Sequence, residues 1–355
     1  MKLRAILRSG ALATAATTLA GSLLAGAALA ITPAAAVDSP IVPGKNAKVS
    51  TVAATDVDAA DTPANVRAFW NSNRLQDAGG GDVGFETLPA PSEVLTPKGD
   101  KVGYGYPQKP YLRYGTRGVG KIVLLNGTQP SNCSAAAIGG DFILTAAHCV
   151  LLPGGKFLTK LAFVPDYRHG KSADGKNRDN EPFGVWPVTK TYMPKVYATK
   201  HSFPYDIAVM RVAKDPQGAS LQEALRVSYK TIQSKDNVPL DTDPALAAVY
   251  GYPGEGGKKF DNGPEMFYCI GEMEPDDQRP ISELVTSNCA VQGGNSGGPL
   301  FDKKWNIIGV TQSGTKVTGA DGKPAENSVF SRLHPDTFGA SLGEAKGDTG
   351  SGWQS

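Results

Sequence analysis

Between Val119 and Arg332 the chain repeats one pattern: a short run rich in apolar residues, then a cluster of turn-forming ones. In the first half of this region the runs fall at 121–126, 134–138, 142–146, 161–167, 184–193 and 205–213. In the second half they fall at 245–253, 265–275, 283–289, 298–302, 305–315 and 327–331. Short runs bounded by Gly, Pro, Asn and Asp read as strands rather than helices. The spacing therefore predicts an all-β domain over residues 111–342. Residues 334–342 predict a short closing helix. Residues 343–355, rich in Gly and Ser, predict a flexible tail.

The chain ahead of this region is patterned differently. Lys2, Arg4 and Arg8 make a basic start, and no charge follows until Asp38. The uncharged run between them is rich in Ala and Leu, and Ala28-Leu29-Ala30 or Ala34-Ala35-Ala36 suits a signal peptidase. Residues 1–36 are thus expected to be a signal peptide. The alternative is a membrane anchor, but the many Ala, Thr, Ser and Gly residues make the run only weakly apolar. No later stretch is apolar enough to cross a membrane. Residues 37–61 show no clear period. Asp61-Thr62-Pro63-Ala64 then reads as a helix start, with a capping residue followed by proline in the first turn. Val66, Phe69, Trp70 and Leu75 follow at helical spacing until Gly79-Gly80-Gly81, so one amphipathic helix is expected near 62–78. Pro89, Pro91, Pro97, Pro107 and Pro110 mark residues 88–113 as an extended connector. Residues 37–110 are read as a pro-segment and linker. An ordinary linker helix is the blander reading.

Composition narrows the picture in two ways. Lys and Arg total 36 against 34 Asp and Glu, with the signs mixed along the chain, so neither nucleic acid nor an anionic surface is an expected partner. Export places the four cysteines in an oxidising compartment, where they can pair.

The chemistry gathers at three places. Gly293-Gly294-Asn295-Ser296-Gly297-Gly298-Pro299 sets one hydroxyl among glycines, where the backbone can take positive φ and lift it clear. Backbone N–H groups beside such a serine can point at a developing oxyanion. A serine is a poor nucleophile without a base, and His148 in Thr145-Ala146-Ala147-His148-Cys149 is the candidate. Asp206 in Tyr205-Asp206-Ile207-Ala208-Val209 suits the group that orients the imidazole. Gly294-Asn295-Ser296-Gly297-Gly298 also fits the G-x-S-x-G pattern of α/β-hydrolases. There the serine comes before its acid and histidine, and too little chain follows Ser296 for that fold. A binding module that has lost catalysis is the third reading, and the presence of all three residues argues against it.

These motifs, in the order His, Asp, Ser, resemble the chymotrypsin-like (trypsin-like) serine peptidases, nearest the bacterial secreted branch that includes the glutamyl endopeptidases. The match runs from about Val119 to about Leu342. The resemblance implies two packed six-stranded antiparallel β-barrels, and the twelve runs divide six and six on that basis. It implies His148, Asp206 and Ser296 as the catalytic triad, with the backbone N–H groups of Gly294 and Ser296 as the oxyanion hole. The helix bearing Trp70 is similar to one ahead of the peptidase domain in the bacterial relatives. Processing of an inactive zymogen is then expected to leave a mature start between about residues 90 and 120. Cys133 and Cys149 bracket a hairpin turned at Gly139-Gly140-Asp141. A Cys133–Cys149 bond would anchor the loop carrying His148 and add roughly 3 kcal/mol on chain-entropy grounds. A Cys/His metal site lacks the usual spacing, and neither metal nor cofactor is expected. Cys269 and Cys289 match the second disulfide of the relatives, with a crossed pairing as the alternative.

Asn295 departs from the digestive enzymes, where an aspartate before the nucleophile pairs with a new N-terminal amine. No Ile-Val-Gly-Gly occurs near residue 119 either. By the same resemblance, Ala290, Val291, Thr311 and Gly314 are expected to line the pocket for the P1 side chain. Ala290 offers no carboxylate for Arg or Lys, and Val291 and Thr311 retain only part of the glutamyl set. An uncharged P1 residue of small to medium size is expected. The expected whole is a secreted, extracellular bacterial serine endopeptidase. It would act on polypeptides as a monomer, with no membrane contact after signal cleavage.

Overall fold

The computed structural model describes residues 52–78, 106–107, 116–168, 181–233, 245–254, 266–275, 283–286, 289, 291–318 and 324–348. The expected signal peptide, most of the connector and the last residues of the tail lie outside these.

Two N-terminal strands come first, β1 (Val52–Asp56) and β2 (Tyr106–Pro107). Six longer or central strands then make a first barrel: β3 (Val119–Asn126), β4 (Gln129–Gly139), β5 (Phe142–Thr145), β8 (Thr159–Pro165), β9 (Trp186–Pro194) and β10 (Ala208–Val212). A small hairpin, β6 (Leu151–Leu152) with β7 (Lys156–Phe157), stands apart. The ring runs β3-β4-β5-β10-β9-β8 and closes where β8 meets β3. The second half repeats this order with β11 (Ala245–Gly251), β12 (Phe267–Pro275), β13 (Glu283–Thr286), β16 (Pro324–Arg332), β15 (Ile307–Thr318) and β14 (Pro299–Asp302). There β11 closes the ring by pairing with both β12 and β14. Every ladder among the described strands is antiparallel. The fold is all-β and chymotrypsin-like. It excludes an α/β-hydrolase, which needs a largely parallel sheet wrapped by helices.

Both faces of a strand are buried where the barrels meet, which is why the apolar runs lack clean alternation. In β3, Ile122 and Leu124 point into the first barrel, while Val119 and Val123 join a layer shared with Tyr250, Phe301 and Val310 of the second. Ala247, Val249, Leu284, Leu300 and Phe330 fill the second barrel. The cysteines pair as Cys133–Cys149 and Cys269–Cys289.

Two elements differ from expectation. The single helix near 62–78 is two, Pro63–Phe69 and Ser72–Asp77. The break falls at Trp70 and Asn71, because the Asn71 side chain caps the second helix by accepting from the Arg74 N–H. The closing helix spans Ala340–Gly347 after a wide turn at Pro335–Gly339, so it runs into the stretch expected to be tail. Leu342 and Ala345 are buried, and Asp348 just beyond accepts from Tyr192 and pairs with Lys190 on β9.

Lys121 is an exception inside the first barrel's wall. It is fully buried in the middle of β3, with its ammonium 4.7 Å from the centre of the Tyr167 ring. Burial pushes its pKa down to about 7. Below that value both native and unfolded chains carry the proton, so the native state bears in full the cost that lowers the pKa. Between about 7 and 10 the unfolded chain alone holds the proton, and stability rises with pH. The stability of Lys121→Met relative to the native chain is therefore expected to fall in thermal melts as the pH rises from about 7 to about 10, and a difference that does not change with pH would contradict this account.

Candidate active site

The first barrel brings His148 and Asp206 together through strand register. β5 and β10 run antiparallel with Thr145 opposite Ala208. The chain leaves β5 into the turn Ala147–Cys149, and it enters β10 from the turn Phe203–Tyr205. Both turns therefore sit at the same end of the pair, and His148 and Asp206 face each other there. The Asp206 carboxylate accepts from the His148 backbone N–H at 2.8 Å through Oδ1 and meets Nδ1 at 2.6 Å through Oδ2. Both side chains are buried. In the tautomer that donates from Nδ1 to Asp206, Nε2 keeps the lone pair. The Cys133–Cys149 bond ties the histidine turn to β4. These two sulfurs and the imidazole lie close together, but sulfurs bonded to each other offer no thiolates to a metal ion.

The second barrel supplies the serine. Gly294 and Gly297 take φ of 94° and 77°, in the left-handed region. A Cβ on Gly297 would fall 2.0 Å from Thr145 Oγ1 and 2.4 Å from the Ser134 carbonyl oxygen, so the loop packs directly on the first barrel. Gly297 N–H donates to the Thr311 carbonyl and Thr311 N–H to that of Gly298, both at 2.8 Å. These bonds fix the loop to β15.

Ser134 of β4 forms the seam between the barrels. Its N–H donates to the Ser296 carbonyl at 2.8 Å, and its hydroxyl donates to the Gly294 carbonyl at 2.8 Å. The same hydroxyl accepts from Tyr252 N–H at 2.9 Å. The Ser134 carbonyl accepts from Thr145 Oγ1 at 2.8 Å, three residues before His148. Ser296 is held against the histidine turn, with Cys149 Sγ 3.6 Å from its carbonyl oxygen. Gln312 of β15 reaches back the other way. Its Nε2 lies 2.8 Å from the Phe203 carbonyl, at the start of the turn that leads to Asp206, and 3.1 Å from the buried Glu283 carboxylate.

Three of the expected pocket residues fall in one area. Val291 N–H donates to Ser328 Oγ at 3.1 Å, and Ser328 is the register partner of Gly314. Thr311 is buried and donates its hydroxyl to the Gly298 carbonyl at 3.2 Å. Ala290 lies outside the described residues. Ser134, Gln312 and Glu283 had no role in the sequence reading. Ser134 is an ordinary small residue in an alanine-rich strand, and no motif marks it.

Residues 133–310, half of the chain, match the family model described as the trypsin-like peptidase domain, and this span contains His148, Asp206 and Ser296. The chain belongs to the trypsin-like peptidase family. As such it is a serine-type endopeptidase, and its substrates are polypeptides. Its fold is similar to that of a thermostable serine protease from an extremophilic microorganism, at 19% identity and a TM-score of 0.51 over 64% of this chain and 99% of that one. The protease Anisep from Arthrobacter nicotinovorans is similar at 21% identity and a TM-score of 0.51, over 64% and 96%. A Glu endopeptidase is similar at 18% identity and a TM-score of 0.50, over 65% and 91%. At these identities the fold is what is shared. No helix among the described residues of this trypsin-like peptidase is long and apolar enough to cross a membrane.

Removing the Ser134 hydroxyl leaves the Gly294 carbonyl and the Tyr252 N–H buried without that partner. Ser134→Ala is expected to cost about 1–3 kcal/mol of stability. It should lower kcat roughly tenfold while KM changes little, because it loosens the loop that must hold its geometry in the transition state. Denaturant melts and steady-state kinetics on a peptide substrate check this, and an unchanged kcat would refute it.

Proposed function

We propose that this peptidase cleaves peptide bonds through an acyl-enzyme on Ser296, with His148 as general base and Asp206 as its orienting anion. One observation carries the reading. Both Asp206 oxygens are committed to His148, and the Ser296 loop is docked on the same turn. As Ser296 Oγ attacks the carbonyl carbon, His148 Nε2 takes its proton, and Asp206 stabilises the resulting imidazolium. The N–H groups of Gly294 and Ser296 receive the oxyanion. His148 then returns the proton to the departing amine. Water attacks the acyl-enzyme by the same route and regenerates Ser296. No metal or cofactor enters these steps.

The pocket reading is that an uncharged P1 side chain of small to medium size is preferred. The Thr311 hydroxyl is engaged with the Gly298 carbonyl, which leaves it a weaker donor toward a substrate carboxylate. The alanine expected at the floor brings no charge for a cation, and an unpaired buried cation is costly. The basic, Ala-rich start of the chain supports export, so the proposed setting is extracellular, with the enzyme acting as a monomer.

Ser296→Ala and His148→Ala are each expected to lower turnover by about a millionfold, with no further loss when combined, since the triad acts as a unit. Undiminished peptidase activity in Ser296→Ala would end the reading. Wild-type activity should rise across roughly pH 6–8, as a histidine base loses its proton. Cleavage of a peptide library should show a preference worth about 1–3 kcal/mol for small or medium uncharged P1 residues. Strict cleavage after Arg and Lys, or after Glu alone, would sink the pocket assignment.

A further inference from the structure

The sequence reading treats residues 37–110 as separable from the peptidase. The described part, residues 52–78, is built into the first barrel. We propose that Val52–Ala78 is a permanent brace of the catalytic domain, retained by the active enzyme and needed to hold the barrel that carries His148 and Asp206.

Three groups of contacts carry this. The first is a ladder. β8 covers only the start of β9, at Trp186 and Pro187, and β1 pairs with the remainder, from Lys190 opposite Asp56 to Pro194 opposite Val52. Val57 N–H adds a bond to the Thr189 carbonyl, and Thr191 Oγ1 donates to the Thr55 carbonyl. The opposite edge of β9 pairs with β10, the strand that follows Asp206. Without β1, the last turns of β9 become an open edge one strand away from the catalytic carboxylate.

The second is Lys160, a non-glycine residue with φ of 54° at the start of β8. Every polar group it has is engaged by the brace. Its N–H donates to Asp61 Oδ2 at 2.7 Å, and its ammonium reaches Asp61 Oδ1 at 2.6 Å. Its carbonyl accepts from Trp70 Nε1 at 2.6 Å. A left-handed lysine persists only where its surroundings over-determine it, and here Asp61 and Trp70 do so.

The third is burial. Val66, Trp70, Leu75 and Ala78 are at most 2% exposed and share one apolar cluster with Val119, Phe142 and Tyr192. Arg67 fastens the first helix to one end of the β9–β10 pair, donating to the Val185 carbonyl just before β9 and the Lys214 carbonyl just after β10. Residues shed on activation must leave behind a surface that water can cover. Loss of these would uncover core residues, an open strand edge and a strained lysine together.

Hydrogen exchange of the secreted full chain, read by mass spectrometry, tests the proposal without reference to activity. Peptides covering 52–56 and 62–78 are expected to exchange as slowly as the peptide covering 186–194. Trp70→Phe keeps an aromatic side chain, smaller than the indole, and removes the donor to Lys160. It should speed exchange of 159–165 and 186–194 at least tenfold while leaving 299–310 unchanged, and Asp61→Asn should act in the same direction. Exchange of 52–78 within seconds beside a protected β9, or no change in either variant, would overturn the brace. The retention claim is read separately. Active enzyme tagged by a serine-reactive fluorophosphonate and isolated by gel filtration should still contain the 52–78 peptides, and tagged enzyme lacking them would also overturn it. If nothing is tagged, the nucleophile assignment fails, and the exchange result still decides the brace.

Discussion

The site depends on the seam at Ser134. His148 and Asp206 belong to one barrel and Ser296 to the other, so the three residues of the proposed triad meet only as well as two separate barrels are held in register. Ser134 does this with both its main chain and its side chain. Its N–H and hydroxyl grip the carbonyls of Ser296 and Gly294, and its own carbonyl takes the Thr145 hydroxyl beside the histidine turn. Serine suits this place because its hydroxyl donates once and accepts twice in a small volume. Gly297 completes the fit, since any side chain there would occupy the space of Thr145 and Ser134.

Each half of the site is rigid for a different reason. On the first barrel, β5 and β10 end together, and Asp206 uses both oxygens on one residue, so ring and backbone of His148 are fixed at once. On the second, paired glycines let the loop turn tightly while the Thr311 ladder bonds stop it moving. Gln312 closes the loop of constraints, running from β15 to the turn ahead of Asp206. Such preorganisation matters because charge developing in a transition state is best met by dipoles already in place.

The N-terminal strand and helices extend the same logic to the outside of the first barrel. A six-stranded ring leaves part of β9 uncovered, and β1 fills that gap. In the second barrel β2 pairs with the start of β12, at Phe267 and Tyr268, while β13 joins the far end of that strand at Glu274 and Pro275. The segment ahead of the domain thus contributes ladder bonds to both barrels, and the first of them also receives its buried aromatic residue, Trp70.

Much of the fold was legible in the chain because strands leave local traces. The twelve apolar runs lie on the twelve barrel strands, and the glycines of 293–298 mark a turn that no other residue type would make. Helix limits were harder, since Asn71 caps a second helix at a position that apolar spacing alone passes over. The sequence by itself determined which residue types could do the chemistry, and their order. Tertiary structure alone decided what supports them. Ser134 and Gly294 are 160 positions apart, Gln312 and Phe203 are 109 apart, and Trp70 and Lys160 are 90 apart. A hydrogen bond between residues so distant leaves no period and no motif in the chain, because it exists only once two folded surfaces are brought together.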